Sequence, residues 1–367
     1  MSICSQMHVL FRVDSSNIIG SGHVVRCLNL ANELKARGAS IHFVCRDHIG
    51  NVNKLIVQHN YQLTLLPNIK FYNSTNADTI NPWIGLNWEI DADETILLIK
   101  KNKPNWLIVD HYGIDTNWEK KLRPYVDNIF VIDDLVDREH NCDILLDQNL
   151  HNNTKERYKM LVPDNAKLFL GPHYAILKSD FSRNTNTRIR NGIIKNILVY
   201  YGSIDICQHI FTLLDALNNI GNNEIVVKII LGNMNDNCTA FDQLSRYSFN
   251  IEIINVSNRI SEMMNDADIA IGACGISQWE RCCMGLPSIV VVTADNQKED
   301  AEILSRLGAV INMGDIDNIT TSNYEDSLVK LFLLPDEVKK MGNLSYSIME
   351  KRELSTNKIS DAIFNKQ

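Results

Sequence analysis

The sequence predicts an α/β protein made of two Rossmann-like domains, each a parallel sheet covered by helices, facing each other across a cleft. Three observations carry this reading. Strand-like apolar runs alternate with stretches of helical period along most of the 367 residues. In the first series the strand-like runs end in polar or acidic residues, as strands that lead into ligand-binding loops do. One polar segment, "SRNTNTRIRNG" (Ser182 to Gly192), divides the alternation into two series and is nearly free of large apolar groups. A hydrophobic fraction of 45% is ample for two cores.

The elements follow in order. "HVLFRVD" (His8 to Asp14) is a strand, and "HVVRCLNLANELKARG" is a helix with Val24, Cys27, Leu28, Leu30, Ala31 and Leu34 on one stripe and Gly38 as its stop. "SIHFVCR" is the next strand. Residues from about Asn68 to Asp91 read as loop, and "ADETILLIKKNKP" as a helix ending before Pro104. "NWLIVDHYG", "NIFVIDDL" and "CDILLDQN" are three strands, with "DTNWEKKLRPY" between the first two. The second series runs strand "IKNILVYYGS", helix "CQHIFTLLDALNNIG", strands "NEIVVKIILG" and "FNIEIINVS", and helix "RISEMMNDA". It continues with strand "DIAIGACG", helix "ISQWERCCMGLP", strand "PSIVVVTADNQ" and helix "KEDAEILSRLGA", and everything beyond reads as helical. The expected domains are residues 1–183 and 193–345, joined by a linker at 184–192 and followed by a helical tail at 346–367.

The net charge of -8 argues against a general nucleic-acid or anionic-membrane binder, while leaving room for an anionic small ligand at a local site. Nine scattered cysteines, with no C-x-x-C, read as reduced thiols in a cytoplasmic protein. Cys274, Cys282 and Cys283 fit small buried residues better than metal ligands, and no other metal-ligand set stands out. The N-terminus has no signal-peptide pattern, and no apolar run approaches the ~20 residues of a membrane helix.

"NIIGSGHVVRC" (Asn17 to Cys27) is the first motif. A dinucleotide fingerprint would need glycine where Val25 stands, and the second strand ends in Arg46-Asp47 rather than in an acid for a ribose diol. What remains is Gly20 and Gly22 leading into a helix start, with His23 in its first turn. A neutral imidazole there can take a proton from water, although a surface or capping histidine is the plainer reading. Asp110, His111 and Tyr112 end one strand, and Asp133 and Asp134 end another, where acids also serve as turn formers and caps. In the second series, Gly272 and Gly275 form a turn, Ser277 and Glu280 open a helix, and Asn296 and Gln297 follow the next strand. A helix start suits a diphosphate and a carboxylate suits a ribose diol.

Taken together, "FRVDSSNIIGSGHVVRCLNLA", "LIVDHYGID", "VIDDLVDREHNCDILLDQN", "GPHYAILKSDF", "VYYGSID" and "ADIAIGACGISQWERCCMGLPSIVVVTADNQ" resemble the nucleotide-sugar hydrolases of pseudaminic acid biosynthesis. The resemblance spans roughly Leu10 to Ala309. It implies a GT-B fold and release of UDP from UDP-2,4-diacetamido-2,4,6-trideoxy-β-L-altropyranose with inversion, and it calls for no cofactor. It also implies that His23 is catalytic, behind Gly20 and Gly22, and that Gly275, Ser277, Glu280, Asn296 and Gln297 serve the UDP end. Asp14 and Asp110 are the candidates to orient His23 or the sugar, with His111, Tyr112 and Gly202 near the substrate. Arg26, one turn beyond His23, reads either as a phosphate contact or as a solvated helix residue. Three positions depart from the family pattern: Ser203 replaces the second of two glycines, and the family's Gly-Gly-Ser reads Cys274-Gly275-Ile276 here. A GT-B glycosyltransferase and a non-catalytic nucleotide-sugar binding protein are the competing readings.

Overall fold

Two separate parallel sheets organise the chain. The computed structural model describes residues 6–67, 81–154, 156–181, 188–202, 207–231, 239–255, 259–350 and 353–366. Ser203 and residues 184–187 of the expected linker lie outside them. The chain divides into one unit of Met1–Asn149, Asn153–Ile176 and Leu354–Gln367 and a second of Leu150–Asn152 and Leu177–Glu353.

The first unit contains β1 (His8–Val13), α1 (Gly22–Ala36), β2 (Ser40–Arg46), α2 (Asn53–Gln58), β3 (Gln62–Leu66), α3 (Trp88–Asn102) and β4 (Trp106–Asp110). It continues with α4 (Thr116–Leu122), β5 (Asn128–Ile132), β6 (Ile144–Asp147) and β7 (Lys167–Leu170). Its sheet order is β3-β2-β1-β4-β5-β6-β7. β1 pairs in parallel with both β2 and β4, so the strand order reverses there and the loops after β1 and β4 diverge at their carboxyl ends. The inner strands are buried on both faces, while the edge strands β3 and β7 are partly exposed. Val9, Phe11 and Val13 pack with Val24, Cys27, Leu28 and Leu34 of α1. Leu10, Leu107 and Val109 pack on the other side with Ile96, Ile99 and Trp118.

The second unit contains β8 (Asn196–Tyr200), α5 (Cys207–Ile220), β9 (Val226–Leu231), β10 (Asn250–Asn255), α6 (Ile260–Asp266) and β11 (Ile269–Ala273). α7 (Ile276–Cys283), β12 (Ser288–Val292), α8 (Lys298–Arg306), β13 (Val310–Asp315), α9 (Thr321–Leu333) and α10 (Pro335–Met349) follow. The order β10-β9-β8-β11-β12-β13 again reverses next to the first strand, here between β8 and β11. Gly272 makes that join possible: a Cβ on it would lie 1.8 Å from the Tyr200 carbonyl oxygen. The last helix, α11 (Glu353–Phe364), returns to the first unit, where Ile359 and Ile363 enter the core and Trp106 Nε1 donates to the Ile363 carbonyl at 3.0 Å.

Several elements differ from the sequence reading. α3 begins at Trp88 rather than near Ala92, because Asn87 caps it by accepting from the Glu89 amide at 2.7 Å and Glu89 and Asp91 supply acid to its first turn. β13 is a strand inside the stretch read as wholly helical; four of its six residues are half-buried, so neither a strand nor a helix period is clean. Cys27, Cys45, Cys142, Cys274, Cys282 and Cys283 are buried free thiols, and burial pushes Cys282 up to about 12. Cys207 is disulfide-bonded, so the expectation of reduced thiols does not extend to it; the rest of that bridge lies outside the described residues.

Glu119 of α4 accepts from His140 Nδ1 at 2.7 Å and from the Asn141 amide, while Asp133 stands 3.8 Å from His140 Nε2. Burial alone would lower the imidazole, but the two carboxylates outweigh it and raise it from 6.5 to about 9. A raised histidine stabilises the fold fully below its unfolded value and loses that contribution as pH climbs through the folded one. Urea midpoints are therefore expected to fall between about pH 6.5 and about pH 9, a loss on the order of 3 kcal/mol, and to fall less in His140→Gln. Parallel pH curves for the two proteins would rule this out.

Candidate functional site

The loop after β1 is built locally. Ser16 Oγ accepts from the Ile18 and Ile19 amides at 3.1 and 3.0 Å, and the Ser16 carbonyl accepts from Gly20 N at 2.8 Å. Gly20 takes φ +76°, a left-handed value that favours glycine and lets the chain turn into α1. Gly22 is the first residue of α1, and His23 follows in its first turn. His23 is 6% exposed, so it is not the surface histidine of the plainer reading.

His23 Nδ1 lies 2.5 Å from Asp110 Oδ1, at the end of β4. Burial would raise the Asp110 carboxyl, but Arg26 first and His23 next hold it far below the usual carboxylate range. An ionised Asp110 accepts, so Nδ1 carries the proton and, in the neutral ring, Nε2 keeps the free lone pair. Tyr112 meets the His23 ring edge-on with centroids 4.5 Å apart, and Trp83 meets Tyr112 the same way at 5.2 Å. Arg26 is 5% exposed, so it is not a solvated helix residue, and carboxylates take three of its N–H groups. Its Nε and Nη2 donate to the two oxygens of Asp110, each at 2.6 Å, and its Nη1 donates to Asp134 at 3.0 Å.

Asp14 and His111 sit in a neighbouring buried network. Arg12 donates to both oxygens of Asp14 at 2.6 and 2.9 Å and to both oxygens of Asp91 at 3.2 and 2.7 Å. Arg46 adds a bond to Asp91 at 2.7 Å. His111 takes the Gly113 amide on Nδ1 at 2.9 Å, which fixes Nε2–H as the donor to Asp14 at 3.0 Å. The structure thus brings Asp110, Arg26 and Tyr112 to His23, and gives Asp14 to Arg12 and His111. Asp134 was missed as a site residue; its signal in the sequence was the paired acid ending the strand beside β4.

In the second unit, Gly275 is the N-cap of α7 and has no side chain to cap it, and the Gln278 amide donates to the Gly275 carbonyl at 2.8 Å. Ile276 begins that helix and Ser277 is buried behind it. Gln297 Oε1 accepts from Thr293 N and Oγ1 at 3.0 and 3.1 Å, which leaves its Nε2 as a donor over Gly275, 3.6 Å from where a Cβ would be. Burial first, and the charge of Glu280 second, push the phenol of Tyr200, the last residue of β8, up to about 12. Asn296 is half-buried in the short turn Asp295–Gln297. Arg281 braces the β11–α7 turn from below, donating to the Ala273 carbonyl at 2.6 Å and to Gln278 Oε1 at 3.0 Å.

Two parallel sheets, each reversing next to its first strand, with polar groups gathered at both reversals, define a protein of the GT-B class. MurG of Acinetobacter baumannii has this fold: its crystal structure superposes with a TM-score of 0.66 at 14% identity, covering 98% of this chain and 99% of that one. Residues 197–355 match the glycosyltransferase family 28 C-terminal domain. The chain is similar to the UDP-2,4-diacetamido-2,4,6-trideoxy-beta-L-altropyranose hydrolase of Campylobacter jejuni, 26% identical over 304 residues that cover 82% of this chain and 97% of that protein. It is also 24% identical over 306 residues to an uncharacterized protein of Methanocaldococcus jannaschii, covering 80% of this chain but only 57% of that longer relative.

Proposed function

We propose that this protein is a nucleotide-sugar hydrolase that frees UDP from UDP-2,4-diacetamido-2,4,6-trideoxy-β-L-altropyranose, in pseudaminic or a related nonulosonic acid pathway. The observation that carries the reading is the His23–Asp110 pair, which fixes the ring with Nε2 free to accept a proton. In the proposed step, a water oxygen attacks the anomeric carbon while His23 Nε2 takes its proton. The anomeric C–O bond breaks, its electron pair stays on the β-phosphate oxygen, and the configuration inverts through an oxocarbenium-like transition state. The second unit holds the UDP: α7 amides at Gly275, Ile276 and Ser277 take the diphosphate, and Glu280 takes the ribose. UDP is a good leaving group, so no strong general acid is required. The specific sugar rests on the similarity to the Campylobacter enzyme.

The likeness to a glycosyltransferase domain over residues 197–355 favours a second reading, in which a sugar hydroxyl takes the place of water. Turnover in oxygen-18 water separates them. The hydrolase is expected to place one label in the free sugar and none in UDP. Label in UDP would exclude attack at the anomeric carbon, and turnover only with an added acceptor would establish the transferase.

A further inference from the structure

We infer that Arg26 is a positioning residue that offsets the charge of Asp110, so that the His23–Asp110 pair does not hold a second proton on the ring and Nε2 of His23 stays ready to receive one. The inference deepens the hydrolase reading and rests on His23 acting as the base.

The geometry is a fork. Arg26 Nε and Nη2 bond Asp110 Oδ2 and Oδ1, each at 2.6 Å. The same Oδ1 faces His23 Nδ1 at 2.5 Å. Arg26 Nη2 is also 3.2 Å from His23 Nδ1. With Asp110 ionised, Nδ1 already carries a hydrogen, so that last contact sets two donors side by side. It is a contact of charge, and it disfavours a second cation on the ring. Asp134 fixes the far end of the guanidinium at 3.0 Å, and both carboxylates are buried, at 0% and 6% exposure. A fork of this kind sets the plane of Asp110 as well as its charge, which lysine cannot do.

Further described groups lie around the ring and its carboxylate partner. Tyr112 stands edge-on to it, its hydroxyl bonded to Asp134 and its phenol pushed up by burial first and by the Asp134 charge next. Cys27 Sγ lies 3.5 Å from Asp110 Oδ2, and burial keeps it a thiol. Among these described neighbours Arg26 is the cation in contact with the ring.

The phosphate contact that the sequence allows for Arg26 makes the opposite prediction, so the two can be separated. In Arg26→Met, the uncompensated Asp110 is expected to retain a proton on His23. The acid limb of the kcat/KM profile then moves up by about 1–3 pH units, with UDP affinity unchanged. Nitrogen-15 spectra of the His23 ring in the UDP-free protein are expected to show more imidazolium at pH 7 than in the unmodified protein. Arg26→Lys keeps the charge without the fork: its acid limb should stay near the original, while kcat falls by about 10²-fold through misplacement of the ring. That variant decides the matter if Arg26→Met does not fold, since a phosphate contact would appear there as weaker UDP binding at undiminished kcat. An unmoved acid limb and unmoved ring signals in Arg26→Met, or lost UDP affinity in either variant, would overturn the inference. Moved ring signals together with an active His23→Ala protein would instead sink the base reading and leave the charge balance standing.

Discussion

Replacing His23 with alanine is expected to lower turnover by ~10²–10⁴-fold at pH 7 while leaving UDP affinity unchanged. The size follows from what general-base catalysis contributes, and the selectivity follows from where the groups lie. His23 belongs to the first unit, and the residues assigned to UDP, from Gly275 to Gln297, belong to the second. The substitution also leaves the framework intact. Asp110 keeps both bonds from Arg26, and Arg26 keeps its bond to Asp134, so no buried charge is stranded. Isothermal titration with UDP and steady-state turnover of the UDP-sugar are the two measurements. Turnover close to that of the unmodified protein would remove His23 from the mechanism, and loss of UDP binding would show that the substitution disturbs more than the base.

The two sheets and the neighbourhood of His23 were legible because both arise from local pattern. β1 and α1 follow one another within a few residues, and the glycine turn between them is visible as Gly20 and Gly22. The role of Arg26 was not legible. Its partners Asp110 and Asp134 are 84 and 108 residues away, and only the parallel pairing of β1 with β4 and β4 with β5 brings those strand ends together. Helical spacing could place Arg26 one turn from His23, but it could not say that two carboxylates from other strands would arrive there. The partners of Asp14 were no more legible. This residue ends the strand that leads to the His23 loop, yet Arg12, two residues before it, turns back and takes both of its oxygens. The edge strands β3 and β7 are partly exposed, so they lack the fully buried apolar run that marks the equally short β4 and β6.

Asp110→Asn is the substitution expected to cost most, because one carboxylate serves two partners. Asparagine keeps the shape but loses the charge, so the buried Arg26 is left with Asp134 alone, and breaking a buried pair in this way costs ~3–5 kcal/mol. The sign of the pH dependence is fixed by the direction of the Asp110 shift. Its carboxyl is held below the usual range, chiefly by Arg26 against the opposing effect of burial. Its contribution is therefore complete above the unfolded value of about 4 and is lost as pH falls below it. Denaturant midpoints of the two proteins should differ fully at pH 7 and converge toward pH 3; a gap that widens in acid would contradict the charged pairing. Turnover should fall as well, since an amide can donate to Nδ1 and turn the lone pair away from substrate, with a loss of the same order as for His23→Ala, ~10²–10⁴-fold. Because Asp110 acts through His23, the two losses should not add: His23→Ala combined with Asp110→Asn is expected to be no slower than His23→Ala alone. Additive losses would mean that Asp110 meets the substrate through some route other than the imidazole.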